Sequence, residues 1–282
     1  MALEVVFLFV LALVWIVFAV VQDLKTREVA NWLNFSLIIF ALAFRFFWSL
    51  FDGNFVFFYQ GLIGLGIFFV LGNALYYGRF FAGGDTKLMI SLGAILPLSN
   101  YFLFNVQIFV IFLGIFLISG AVYSLSMSAY LSIRNFKSFK KEFGKQFRKN
   151  KKLVFVSLFV GAIFFIFGFK ESSLFSLGIF LAVFPQIYIY TKAVDESCMR
   201  KSVSASNLTE GDWLYKDVEI GKKVISAKWE GLSMDDIKKI RKNHKSVIIR
   251  QGIPFTPVFL ISLLVLILLW YAQILGKLFV LF

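Results

Sequence analysis

Residues 1–20 read MALEVVFLFVLALVWIVFAV, an apolar run that decides the fold class of the chain. About 20 consecutive apolar residues are enough for a helix to cross a lipid bilayer. The first positive charges, Lys25 and Arg27, come only after this run, and no basic segment precedes it. A cleaved signal peptide has the opposite arrangement, so we expect a membrane anchor with its N-terminus outside the cell.

The composition of all 282 residues also indicates a membrane protein. Hydrophobic residues make up 60% of the chain, and the mean hydropathy is +0.83. So much apolar surface would aggregate on a water-soluble domain. Apolar runs predict helices at 3–22, 32–51, 55–77, 86–98, 102–131, 153–169, 174–190 and 255–275. We therefore expect an all-α polytopic membrane protein of about eight transmembrane helices, or six core helices plus an inserted hairpin, with a small cytosolic α+β domain.

The distribution of positive charge predicts the orientation in the membrane. With eight crossings, the segments on the side opposite the N-terminus are 23–31, 78–87, 132–152 and 191–254. They hold 26 of the 29 Lys and Arg residues; the exceptions are Arg45, Lys170 and Lys277. Cytoplasmic loops of membrane proteins carry such an excess, so these segments are expected in the cytosol. Arg45 lies within the second helix, and we expect its side chain to snorkel toward Asp52.

The same segments divide the chain into five parts. We predict membrane helices over 1–131, a basic cytosolic loop at 132–152, an additional transmembrane hairpin at 153–190, a cytosolic α+β domain at 191–254, and a C-terminal transmembrane helix at 255–282. Within the α+β domain, the residues on both sides of Gly221 predict a short hairpin. Ser233 and Asp236 have the spacing of a capping box and predict the start of a helix.

Two aspartates are expected at the same side of the membrane. Asp23 follows the first helix in VQDLKTREVANWL, and Asp85 precedes the fourth helix in FAGGDTKLM. If two carboxylates lie close together in a low-dielectric site, one keeps a proton while the other acts as the base that activates water. Gly83 and Gly84 allow tight backbone geometry and close approach by a substrate strand. This pattern predicts an aspartyl protease site that needs neither a metal nor another cofactor.

Simpler roles for these residues remain open. Asp85 can cap the fourth helix, and Asp23 can be an interfacial carboxylate paired with Lys25 or Arg27. We expect Lys87 to anchor its helix at the lipid headgroups. For the whole protein, the alternatives are a proton-coupled secondary transporter that uses membrane carboxylates and a non-catalytic scaffold. Carriers tend to hold carboxylates near the bilayer midplane and to show inverted repeats, whereas this chain shows no repeat.

Other kinds of chemistry are excluded by composition. The chain has one histidine, His244, and one cysteine, Cys198, so it contains no HExxH zinc site and no intramolecular disulfide. His244 is expected on the cytosolic surface. We expect no nucleic-acid partner, whereas the basic run at 134–152 is expected to sit on anionic membrane lipids.

Three stretches, taken in order, resemble a known family. They are QDLKTREVANWL, AGGDTKL, and EGDWL followed by GIPFTPVFL. The chain resembles the archaeal preflagellin and prepilin peptidases, which are related to the bacterial type IV prepilin peptidases among the GxGD aspartyl proteases. By this resemblance, Asp23 and Asp85 match the two catalytic aspartates, and Gly84 matches the glycine before the second one. Ala82 stands where the GxGD pattern has its first glycine.

The resemblance implies a substrate class and a place of action. The expected partners are preflagellins and prepilins, precursors with a short charged leader before a hydrophobic helix. The family cuts such precursors at the junction between leader and helix, on the cytosolic face of the membrane. Whether the clients of this chain are archaellins or pilin-like proteins is left open by the sequence.

Overall fold

The computed structural model of the protein describes residues 3–169, 171–221 and 223–274. The helices in these ranges are α1 (Leu3–Thr26), α2 (Asn31–Asp52), α3 (Val56–Tyr77), α4 (Gly83–Gly93), α5 (Phe102–Arg134), α6 (Phe136–Lys149), α7 (Lys151–Phe167), α8 (Ser172–Cys198), α9 (Met234–Asn243) and α10 (Thr256–Tyr271). The strands are β1 (Arg200–Ser204), β2 (Trp213–Leu214), β3 (Val218–Ile220), β4 (Lys223–Ile225) and β5 (Ser246–Arg250). The predicted fold class, a helical polytopic membrane protein with a small α+β part, is confirmed.

Each of the eight predicted apolar helices has a counterpart in the structure. The largest differences are that α8 continues to Cys198 and that α4 ends at Gly93. No helix breaker follows residue 190 in α8, whereas Pro97 disfavours helical geometry just beyond the end of α4. The charge count also included Lys170, Lys222 and Lys277, and the predicted C-terminal segment included residues 275–282. All of these lie outside the described residues.

Five of the described helices are long and apolar enough to cross a membrane: α1, α2, α3, α5 and α8. The pair α6 and α7 qualifies as a sixth span only if it is taken together, and it bends by 72° at its break. α4 has 11 residues and α10 has 16, or about 16 and 24 Å of helix against roughly 30 Å of hydrocarbon. The chain is thus a multi-pass membrane protein, while complete crossings by α4 and α10 stay predictions.

One compact unit combines α1 to α4 and the first part of α5 with α10. Its buried core includes Leu8, Leu37, Phe68, Leu92, Phe112 and Phe259. The short α4 packs closely on α3, because a Cβ on Gly93 would lie only 2.6 Å from the carbonyl oxygen of Gly64. Two glycines that face each other let the backbones approach, as is common between membrane helices. This contact holds α4 in place despite its short length.

Arg45 is buried at the C-terminal end of α4 and does not snorkel toward Asp52. Its side chain is 0% exposed, and it donates to the carbonyl oxygens of Ala94 at 2.8 Å, Ile95 at 3.1 Å and Phe57 at 2.9 Å, and also to that of Pro97. The last carbonyls of a helix have no partner within the helix. Non-helical backbone at membrane depth is tolerated only where other groups satisfy it. The expectation that Arg45 snorkels toward Asp52 was wrong, because its planar guanidinium carries enough donors to bind this set of carbonyls inside the protein.

A second polar contact stabilises the same irregular segment. The fully buried Asn105 of α5 accepts hydrogen bonds from the backbone N–H groups of Leu98 and Ser99, each at 3.0 Å. Its side-chain amide donates to the Ser99 carbonyl at 2.7 Å and to Gln60 of α3 at 3.0 Å. Together with Arg45, this network satisfies the backbone between α4 and α5.

The second compact unit covers residues 124–253 and contains an antiparallel helix pair, α7 and α8. The two helices approach at glycines, since a Cβ on Gly161 would lie 2.9 Å from the Gly178 carbonyl oxygen. The segment 132–152, which we predicted as a loop, is helical and contains α6. The sequence FKSFKKEFGKQFRK repeats Phe at helical spacing and separates it from Lys and Arg, so an amphipathic helix explains the pattern better than a loop.

The α+β part of this unit follows α8. Its main sheet has the order β1-β5-β2 with antiparallel pairing, and β3 pairs with β4 as the hairpin predicted around Gly221. The predicted helix is α9, and its capping box of Ser233 and Asp236 is confirmed. α9 buries Ile237 and Ile240 in a small core with Val247 and Ile249 of β5.

Candidate active site

The carboxylate of Asp23 lies one turn before the end of α1 and is 8% exposed. Its Oδ2 atom accepts two hydrogen bonds from Thr256 at the start of α10. The Thr256 hydroxyl donates at 2.8 Å and its backbone N–H donates at 3.2 Å. α10 thus holds a carboxylate from the opposite end of the sequence, at the helix N-terminus that favours negative charge.

A cluster of aromatic rings fixes the start of α10 beside the start of α4. Phe255 precedes Thr256 and packs against Phe81, with ring centroids 6.1 Å apart. Phe81 also contacts Phe116 of α5 at 5.7 Å and Phe259 of α10 at 6.4 Å. Since Phe81 lies next to Ala82, the residue before α4, these apolar contacts bring the beginnings of the two helices to one place.

Asp85 lies in the first turn of α4, partly buried. Its carboxyl group interacts electrostatically with that of Asp23 and also with the backbone N–H of Ala82. The interaction with Ala82 is what a helix cap makes, so the structure is compatible with a capping role as well as a chemical one. The interaction with Asp23 is not explained by capping. The two predicted site aspartates therefore interact electrostatically in the structure although they come from different helices.

The two glycines before Asp85 are not closely packed against their neighbours. Gly83 and Gly84 form the first helical residues of α4. A Cβ on Gly84 would make an ordinary contact with Val29 at 3.7 Å, and one on Gly83 would be 4.0 Å from Tyr76. Neither position shows the tight backbone geometry that we expected, and close approach by a substrate strand remains a prediction.

Two neighbouring side chains complete the surroundings of the aspartates. Lys87 donates to Asn31 of α2 at 2.6 Å, which ties α4 to α2. Tyr123 of α5 interacts electrostatically with both Asp23 and Arg27. Sequence reasoning missed Tyr123, because a tyrosine in a long apolar helix is indistinguishable from an ordinary interfacial aromatic residue.

The described residues contain no group of three or more His, Cys, Asp and Glu side chains that could hold a metal ion. His244 lies at the end of α9 with its Nε2 atom 2.9 Å from the Glu219 carbonyl oxygen, in the second unit. Cys198 is a free thiol at the end of α8. Two carboxyl groups that interact can transfer protons to and from a bound water, as in other paired-carboxylate sites.

Fold and site together define a class of protein: a multi-pass membrane protein that holds two interacting aspartates at neighbouring helix ends. The Type IV leader peptidase family matches residues 10–125, a range that includes both aspartates. The resemblance inferred from the sequence is confirmed over this range.

Individual relatives agree with the family match. The chain is 29% identical over 92 residues to the preflagellin peptidase of Methanocaldococcus jannaschii, which covers 33% of this chain and 39% of that protein. It is 27% identical over 89 residues to the preflagellin peptidase of Methanococcus maripaludis, and 26% identical over 89 residues to that of Methanococcus voltae; each match covers 32% of this chain and 38% of the relative. The chain therefore spans about two fifths of the length of these curated relatives.

No solved structure matches the chain. The comparisons also give no support to the alternative of a proton-coupled transporter.

Proposed function

We propose that the protein is a membrane aspartyl endopeptidase that removes the leader peptide of archaellin or type IV pilin-like precursors. The observation that carries this proposal is the electrostatic interaction between Asp23 and Asp85 inside the region that matches the leader peptidase family. The names of the relatives, preflagellin peptidases, support preflagellins as substrates. Prepilins share the same design of a charged leader before a hydrophobic helix.

The proposed reaction uses a water molecule held between the two carboxyl groups. The ionised aspartate removes a proton from the water, whose oxygen attacks the carbonyl carbon of the scissile peptide bond. The protonated aspartate donates its proton to the carbonyl oxygen, which gives a neutral tetrahedral intermediate. When the C–N bond breaks, the leaving nitrogen takes a proton from the aspartate that accepted one, and a hydroxyl group of the intermediate returns its proton to the other aspartate. Hydrolysis is complete without a metal or another cofactor.

The location of the site favours cleavage at a membrane surface. Asp23 lies near the end of a 24-residue apolar helix, and Asp85 lies at the start of α4. With 26 of 29 positive charges in segments on one side, we propose that this side is the cytosol and that the N-terminus is outside. A leader that is still in the cytosol can then reach both aspartates while its hydrophobic helix is in the bilayer. On the same grounds, we propose residues 191–254 as a cytosolic domain.

Processing of a precursor by the purified protein tests the proposal directly. The protein is reconstituted in liposomes with preflagellin- or prepilin-type precursors, and product size and new N-terminus are read by gel shift and mass spectrometry. We expect one cut at the junction of leader and hydrophobic helix. An intact precursor would refute the peptidase assignment, and uptake of a solute by the same liposomes would favour the transporter instead.

We further propose that α6 contacts anionic membrane lipids. Phe139 of α6 packs on Tyr190 of α8 with ring centroids 5.6 Å apart, and Gln146 is buried on the same side. Phe136 and Phe147 form a neighbouring apolar stripe that is 58% and 36% exposed. The exposed cations of α6 lie beyond this stripe: Lys137, Lys140, Lys141, Lys145, Arg148 and Lys149.

The bend between α6 and α7 supports this lipid contact. Because α7 is apolar and α6 turns away from it by 72°, a membrane-crossing α7 places α6 close to the plane of the membrane surface. An amphipathic helix in that position buries its apolar stripe at the level of the headgroups and presents its cations to anionic lipid.

Neutralising α6 should reduce the preference for anionic lipid. We expect the variant with glutamine at Lys137, Lys140, Lys141 and Arg148 to lose most of the difference in cleavage rate between anionic and neutral liposomes. The reason is that each cation near an anionic surface contributes about 1 kcal/mol of attraction. The matched control replaces Lys238 and Lys239 of α9. Unchanged lipid dependence in the α6 variant would mean that the helix is merely a solvated cationic segment.

A further inference from the structure

The contact between Asp23 and Thr256 joins residues that are 233 positions apart. Both donors of Thr256, the hydroxyl and the backbone N–H, reach the same carboxylate oxygen, Oδ2. Capping of α10 by Asp23 would account for the N–H contact, because a carboxylate satisfies the free amides at a helix start. Capping does not require the Thr256 hydroxyl. This hydroxyl is buried and is a second donor to the same oxygen.

The direction of these bonds constrains where a proton can lie. A backbone N–H can only donate, so Oδ2 of Asp23 acts as an acceptor. A proton that Asp23 and Asp85 share is then held at Oδ1 of Asp23 or on Asp85, and not at Oδ2. The two bonds also restrict rotation of the carboxylate, which determines the direction in which Oδ1 points.

Thr256 is itself held in a rigid setting. It is 1% exposed and lies at the first turn of α10, directly before Pro257. Phe255 packs against the aromatic rings of Phe81 and Phe116 at 6.1 and 5.8 Å. A buried donor at a helix start that is packed in this way can orient its partner.

We propose that Thr256 is a positioning residue for cleavage, which orients the Asp23 carboxylate so that Oδ1 faces the water and Asp85. The inference rests on the proposed function of the two aspartates, and it adds a third residue to which nothing in the family match assigns a role, since residue 256 lies outside the range 10–125. It predicts that loss of the hydroxyl slows the chemical step and leaves precursor binding unchanged.

The test compares Thr256→Val and Thr256→Ser in purified protein with a preflagellin-type precursor. Valine removes the hydroxyl and keeps the backbone N–H, whereas serine keeps both donors. We expect Thr256→Val to lower kcat by about 10- to 100-fold, the effect of a small misplacement of reacting groups, with KM unchanged. Thr256→Ser should keep a kcat close to that of the wild type. Ser262→Ala is the matched control, because Ser262 is a buried hydroxyl of α10 that donates to the Val258 carbonyl at 2.7 Å.

The possible outcomes separate this inference from the proposed function. If the wild type cleaves and Thr256→Val cleaves equally fast, Thr256 has no positioning role. Equal losses in the valine and serine variants, or a loss confined to KM, would also overturn it, since packing or binding would then explain the effect. If Thr256→Val and Thr256→Ala both fail to accumulate in membranes, Thr256 serves folding and the inference is wrong. A wild-type protein that does not cleave rejects the proposed function itself.

Discussion

Asp85→Asn and Asp23→Asn should each slow precursor cleavage by at least about 10³-fold, because asparagine keeps the shape of aspartate but cannot accept or donate the proton that hydrolysis needs. The double variant should be no slower than either single one, since residues that act as a unit lose their joint effect when one is removed. Initial rates with a preflagellin-type precursor in liposomes measure both statements. Expression and membrane insertion should stay at the wild-type level.

The same experiment distinguishes catalysis from helix capping. The interaction of Asp85 with the Ala82 amide also allows a capping role. Asparagine caps a helix about as well as aspartate does. If Asp85 serves only as a cap, the Asp85→Asn protein should therefore be active. Asp52→Asn is the matched control: this aspartate is exposed at the last residue of α2. Cleavage by Asp85→Asn at the wild-type rate would remove Asp85 from the proposed active site.

Much of the fold could be predicted from the sequence because apolar runs and local motifs report on nearby residues. The eight apolar helices, the hairpin at Gly221 and the capping box of Ser233 each depend on a short stretch of chain. The basic segment 132–152 was harder, because its charge suggested a loop while the spacing of its phenylalanines specified α6. There, the helical period was the more reliable signal.

The candidate site was predictable only in part. Helix parity indicated that Asp23 and Asp85 lie on the same side, and the structure adds that their charges interact. The hydrogen bonds from Thr256 to Asp23 could not be predicted, because they depend on how α1 and α10 pack across 233 positions of sequence. Tyr123 was also missed for this reason, since its interaction with Asp23 comes from tertiary packing of α5.

Arg45 shows most clearly what a sequence conceals. The side chain of an arginine within an apolar helix is expected to snorkel toward water, and Asp52 offered a partner in that direction. Instead, its guanidinium lies 4.3 Å from the centre of the Phe57 ring and its donors bind carbonyl oxygens from Ala94 to Pro97. The helix that these bonds terminate is α4, whose other end carries Asp85. Arg45 is therefore a structural partner of the site although it lies at the far end of α4.

Replacing Arg45 with methionine should destabilise the protein more than any substitution at the aspartates. Methionine fills part of the space but removes the donor from the carbonyls of Ala94, Ile95 and Pro97. A buried polar group that loses its partner costs about 1–3 kcal/mol, so the loss of several at once should cost at least about 3 kcal/mol. Thermal unfolding in detergent should show a markedly lower Tm, together with reduced accumulation in membranes.

A lysine at the same position refines the expectation. Arg45→Lys keeps the charge, but its single ammonium group cannot reach carbonyls that the arginine contacts through three different nitrogens. We expect an intermediate Tm and, because α4 is then less firmly fixed, slower cleavage by the fraction that remains folded. Arg79→Met is the matched control, since Arg79 is an exposed arginine between α3 and α4. If the Arg45→Met protein has the same Tm as the Arg79→Met control, the carbonyls after α4 find other partners. Arg45 is then dispensable for the position of Asp85.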